Sequence, residues 1–229
     1  MNKISNKIGY WTSVFLTISF IIWIISFVGI SLTSPLFYWT NIEDFIVYIQ
    51  SNDNRFFQNL AFLFTLLVGP AYLLLINSFY DLVNSEKEKT LARISLLFGL
   101  AFAVTSGINY FAQISAVRLS IEKEHFEGLE YFIQANPDSI LTSIAMLGWT
   151  VFLGLSSLFI FSIFKGDKLR KVLKIGFLFN GISCLLAGIG YIFQIDLLTF
   201  LFINIGSGGA LIIISIASIK LFKRQIANR

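Results

Sequence analysis

Six apolar runs, at roughly 8–32, 57–82, 92–117, 139–164, 172–194 and 197–222, decide most of what this chain can fold into. A helix rises 1.5 Å per residue, so about 20 apolar residues cross the hydrocarbon of a bilayer. No water is present there to hydrogen-bond a free backbone group, and a helix satisfies its own. Strands of a membrane barrel would alternate apolar and polar residues, whereas these runs are continuous. Of the residues, 56% are hydrophobic and 13% charged, against about a quarter charged in soluble domains. That leaves too little polar surface to wrap a water-soluble core. The sequence predicts an all-α fold, a polytopic membrane helix bundle in which 1–229 is a single domain of six transmembrane helices. The opening MNKISNKIGYW meets the first run without an A-x-A-like cleavage site and reads as a retained first helix.

Charge sets the expected orientation. With the N-terminus inside, the inner segments hold Lys3 and Lys7; Lys87, Lys89 and Arg93; Lys165, Lys168, Arg170, Lys171 and Lys174; and Lys220, Lys223, Arg224 and Arg229, fourteen of the 17 basic residues. Only Arg55, Arg118 and Lys123 fall outside, together with nine of the 13 acids. An excess of Lys and Arg in short loops marks the cytoplasmic side. Both termini are therefore expected in the cytoplasm and the protein in the cell (cytoplasmic) membrane. The pI near 9.2 comes from these loop residues and does not indicate nucleic-acid binding.

Two outer loops are long enough for structure. In the first, Phe37, Tyr38 and Trp39 fit an interfacial aromatic belt, and Asn41 is placed to cap a short helix with Glu43 and Asp44 in its first turn. In the second, Ser120 is placed to cap a helix with Ile121, His125, Leu129, Phe132 and Ile133 on one stripe, lying flat on the membrane. Asn136-Pro137 reads as a cap and first helical position opening the fourth span.

Spans 3 and 5 echo each other 81 residues apart: GINYFAQIS (107–115) over GIGYIFQID (188–196), matching Tyr110 with Tyr191 and Gln113 with Gln194. The even-numbered spans share a glycine nine residues before a serine: Gly69/Ser78, Gly148/Ser157 and Gly206/Ser215. Both an internal repeat and shared helix-packing habits explain these matches.

Little of the usual catalytic or transport chemistry is present. The central parts of the spans hold no Asp, Glu, Lys or His, the groups that proton relays and ion pathways use. There is no G-x-S-x-G, no H-E-x-x-H and no intramembrane Asp pair. Cys184 is the only cysteine and His125 the only histidine, which provides neither a disulfide nor the three protein ligands zinc wants. Cofactor and metal are expected to be absent, and no enzyme activity is indicated. Gly69-Pro70 reads as a tolerated interruption of span 2. Asn180 and Asn204 read as amides bonded between helices.

The remaining signal is a polar layer at the outer ends of the spans. Gln58 and Asn59 open span 2; Asn109, Tyr110, Gln113 and Arg118 close span 3; Tyr191, Gln194 and Asp196 close span 5; Thr199 begins span 6. If spans 2, 3, 5 and 6 converge, Asn59, Asn109, Tyr110, Gln113, Arg118, Tyr191, Gln194 and Asp196 are the candidate ligand-binding residues of an outward-facing polar pocket. Arg118 would offer a bidentate grip on a carboxylate or phosphate, or else snorkel to lipid headgroups. It lies about 140° around the helix from Gln113 at 100° per residue.

Tyr110-x-x-Gln113, Val117-Arg118-x-Ser120, Glu127-Gly128-Leu129 and Gln134-x-Asn136-Pro137-x-Ser139-Ile140 carry a resemblance. Over this stretch the chain resembles an uncharacterised group of bacterial six-span integral membrane proteins of unknown function. The resemblance implies the same span count and makes the second outer loop the group's distinctive part; it implies no chemistry. Two functions stay open. One is binding or transport of a small or lipid-like ligand through the outer polar pocket. The other is a non-catalytic accessory, sensor or immunity-type role through helix–helix contacts with a partner. The expected partners are the lipid bilayer and such a ligand.

Overall fold

The structure is a computed structural model describing residues 3–33, 42–51, 55–134, 136 and 138–227. Among the described residues there is no strand. Among the same residues six helices are long and apolar enough to cross a membrane, as the runs demand. Span 1 is Lys3–Thr33, span 2 Phe56–Tyr80, span 3 Glu86–Glu122, span 4 Ile140–Ile163, span 5 Lys168–Ile192 and span 6 Asp196–Ala227. Three begin at side-chain caps: Ser85 accepts from the Glu88 N–H, Ser139 from Thr142 and Asp167 from Arg170, each satisfying a backbone donor the helix start leaves free. Pro70 sits within span 2 without ending it.

The spans pack in chain order around a ring: each lies against the next, and span 6 closes on span 1. Gly9 near the start of span 1 faces the ring of Phe222 near the end of span 6, so both termini share one end, here termed proximal. The proximal half is plugged by phenylalanine rings. Phe79, Phe164, Phe177 and Phe222 are buried together, with Phe79 4.9 Å from Phe164, 5.9 Å from Phe177 and 5.4 Å from Phe222 between ring centroids. Outside this plug, Lys165 pairs with Glu88 at 2.8 Å and Arg224 with Asp167 at 3.5 Å.

Buried hydroxyls and amides tie the middle of the bundle together, because hydrocarbon offers them no other partner. Asn180 donates to Ser157 Oγ at 2.8 Å and accepts from Ser207 Oγ at 2.7 Å, joining spans 4, 5 and 6. The Tyr72 hydroxyl meets Ser156 at 3.0 Å, and Ser95 bonds the Ser156 backbone at 2.8 Å. The three recurring glycines mark close approaches between spans. A Cβ on Gly69 would stand 2.7 Å from the Ala103 backbone, and one on Gly206 2.7 Å from Ser183 Oγ. Gly148 is pressed against Thr105.

The opposite, distal end departs from the expectations in two places. Ser120 does not cap a flat helix: it lies inside span 3, which runs on to Glu122. Glu124 and Gly128 then take left-handed backbone (φ 57° and 71°), which no helix continues through, and a single turn of 3-10 helix follows at Leu129–Tyr131. Three residues of the expected stripe are buried nonetheless, while His125 and Phe132 are exposed. Ile121, Leu129 and Ile133 pack with Val117 and with Phe45 and Ile49 of the short helix Ile42–Ser51, which carries Glu43 and Asp44 in its first turn. Nor does Asn136 cap span 4. Ser139 does, in extended backbone, while the Asn136 carboxamide accepts from the Asp138 N–H and donates to the Glu130 carbonyl. Phe37, Tyr38, Trp39, Asn41 and Pro137 lie outside the described residues.

Candidate functional site

Spans 3, 4 and 6 each contain a wider π-helical turn, at Gln113–Val117, Leu147–Phe152 and Leu201–Ser207. Such turns shift the side chains that follow them and recur at functional sites. Two of these, in spans 4 and 6, supply walls to a cavity of about 250 Å³ inside the ring, which also takes residues from spans 1, 2 and 3. Phe20 and Val68 at its base also line the small void below, which Tyr72, Leu75, Phe102 and Leu153 enclose. The proximal phenylalanine plug lies beyond.

The lining is apolar with inserted hydrogen-bonding groups and contains no Asp, Glu, Lys, Arg or His. Thr65, Thr142 and Asn204 are engaged with backbone carbonyls, at 2.7, 3.4 and 3.1 Å; Asn204 bonds Phe200 within its own span rather than a neighbouring helix as expected. Two groups are not engaged. The Ser19 hydroxyl, on a residue 1% exposed, and the Trp149 indole N–H have no hydrogen-bond partner among the described residues. The Tyr110 hydroxyl stands beside Trp149 and Gln134, yet the indole N–H does not reach bonding geometry with it. Edge-to-face packing on Phe102, 4.9 Å between centroids, holds the Trp149 ring.

Gln134 roofs the cavity, and the polar end of span 3 holds it there. Gln113 donates to the Phe132 carbonyl at 2.7 Å and accepts from the Gln134 N–H at 3.1 Å; Asn109 donates to the Gln134 side chain at 3.0 Å. Of the eight candidate residues, Tyr110 alone lines this cavity. Asn109 and Gln113 are buried and grip the loop. Asn59, Gln113 and Arg118 line a hollow of about 20 Å³, where Arg118 bonds Glu122 at 2.7 Å and the Ile114 carbonyl at 3.0 Å. Tyr191, Gln194 and Asp196 line a third, open hollow of about 370 Å³. Tyr191 there meets Ser143 across spans 4 and 5 at 3.0 Å. The echo between spans 3 and 5 ends at this level: Gln113 stays in its helix, while Gln194 turns left-handed (φ 56°) just past the end of span 5.

Comparison with known proteins identifies no relative. No family model matches the chain, and neither a curated protein nor a solved structure matches it significantly. The functional reading rests on geometry. Ser19, Gln134 and Trp149 were not among the sequence candidates. Trp149 carried the stronger signal, an indole N–H placed mid-span where hydrocarbon provides no acceptor.

Proposed function

We propose that this multi-pass membrane protein binds a small or lipid-like ligand in the distal cavity, with that end at the outer face of the cell membrane and both termini in the cytoplasm. The observation that carries the reading is a pair of buried, unengaged donors on Ser19 and Trp149, two residues of the cavity lining. Each buried donor left unpaired costs about 1–3 kcal/mol, and a ligand acceptor recovers that cost. The volume is just below the ~300–1,000 Å³ of sites that hold drug-sized ligands, so a compact polar group fits. The uncharged lining argues against an ion, whose desolvation nothing there would offset. The plugged proximal half supports access from the distal side.

Thermal melting of the purified protein against small neutral diols, esters and amides tests this. A ligand at 100 times its Kd stabilises by about 2.7 kcal/mol. We expect the wild type to gain several degrees and a Ser19→Ala/Trp149→Phe variant to gain almost nothing. Equal gains in both proteins would refute the reading. A stoichiometric protein partner whose co-purification ignores both substitutions would support an accessory role instead.

A further inference from the structure

Spans 1 and 6 touch along their proximal halves, from Gly9 on Phe222 to Thr17 on Ser215, and again near their distal ends, and they part between. At the proximal level Thr17 donates to Ser215 at 2.9 Å; distally, the rings of Phe27 and Phe200 meet at 6.3 Å. Between them, over roughly 15 Å of span 1 at 1.5 Å per residue, lies a groove of about 200 Å³. Phe20, Trp23, Asn204 and Gly208 line both this groove and the cavity, so the two share a wall. Ile24 and Ile205 at its rim are exposed and lie at a depth where a bilayer presents acyl chains. A Cβ on Gly209 would meet nothing within 4 Å, and one on Gly208 only a carbonyl at 3.8 Å. The glycines leave the gap open.

Resting on the ligand-binding reading above, we infer that the ligand is an uncharged amphiphile from the outer leaflet, such as a glycerol ester. It enters sideways between spans 1 and 6, its polar head bonding Ser19, Tyr110 and Trp149 while its chain lies in the groove along Ile24 and Ile205. The apolar groove suits a chain, and the uncharged, hydrogen-bonding cavity suits a neutral head.

The test uses the full-length protein in phosphatidylcholine nanodiscs with a monoacylglycerol bearing a diazirine on its acyl chain. Photolabelling should concentrate on spans 1 and 6 and exceed that of an equal load of the fatty acid at least fivefold. A Cβ at Gly209 meets nothing within 4 Å, so Gly209→Trp should project into the gap and cut labelling at least fivefold with an unchanged melting temperature; Gly209→Leu serves if the larger variant fails to fold. Tyr110→Phe/Trp149→Phe should cut it as well. Labelling that survives at Gly209 but falls with the head-group variants overturns the sideways route and leaves the cavity standing. Labelling indifferent to both sets of variants overturns both readings. Equal labelling by the fatty acid overturns the neutral head.

Discussion

Asn180 shows what a single amide does in this bundle. Its carboxamide donates to Ser157 and accepts from Ser207, so truncation takes one bond from each of two buried hydroxyls, which keep Tyr72 and Cys184 as their remaining partners. Interhelical hydrogen bonds in membranes average about 0.6 kcal/mol and reach about 1.7. Asn180→Ala is therefore expected to lower stability by about 1–2 kcal/mol, read from thermal or denaturant unfolding in micelles; an unshifted midpoint would mean the network adds nothing. As a bonded intramembrane amide Asn180 was legible in the sequence, and so were Asn109, Tyr110 and Gln113 as polar intrusions into an apolar run. Their targets were not. Asn109 and Gln113 bond the backbone and side chain of a loop about 20 residues on, which helical phase alone does not specify. Ser19 was hidden because a serine in a span commonly bonds its own helix, and nothing in the sequence says that this one does not.

At the level of elements, small residues decide how closely neighbours approach. Span 2 meets span 3 at Gly69, where a Cβ would overlap the Ala103 backbone. Gly69→Val should force the two helices apart and cost about 1–3 kcal/mol, as overpacking does. Gly107 faces open space, so Gly107→Ala should be neutral or gain up to about 1 kcal/mol from helix propensity; melting both variants side by side checks the pair. The six runs placed the spans to within a few residues at most ends. Span 3 was read short, because Arg118, Ser120 and Glu122 look like loop, although an i,i+4 Arg–Glu pair also lengthens a helix. The π-helical turns left no mark in the hydropathy pattern, since a turn wider by one residue needs no change in residue type.

For the whole molecule, the count of six and the up-down alternation were legible, because hydropathy and loop length determine both. The ring was not: apolar faces of similar composition do not say which neighbour each one meets. The proposed orientation can be tested with one cysteine at a time, since Cys184 is buried and replaceable by serine. On a Cys184→Ser background, Glu127→Cys should react with a membrane-impermeant maleimide on intact cells, and Lys223→Cys only after permeabilisation. The reverse pattern would invert the topology. The chain-order ring also bears on how the protein is made. Each span leaving the insertion machinery finds its predecessor already in the bilayer, so assembly proceeds by local additions of the kind that fold fast. Only the last helix must find a partner made long before, docking Ser215 on Thr17 and Phe222 on Gly9. A nascent chain halted before residue 196 would leave the far side of span 1 bare to lipid. The seam sealed last in biosynthesis is the same one that, in the finished protein, stays unzipped at the depth of the acyl chains.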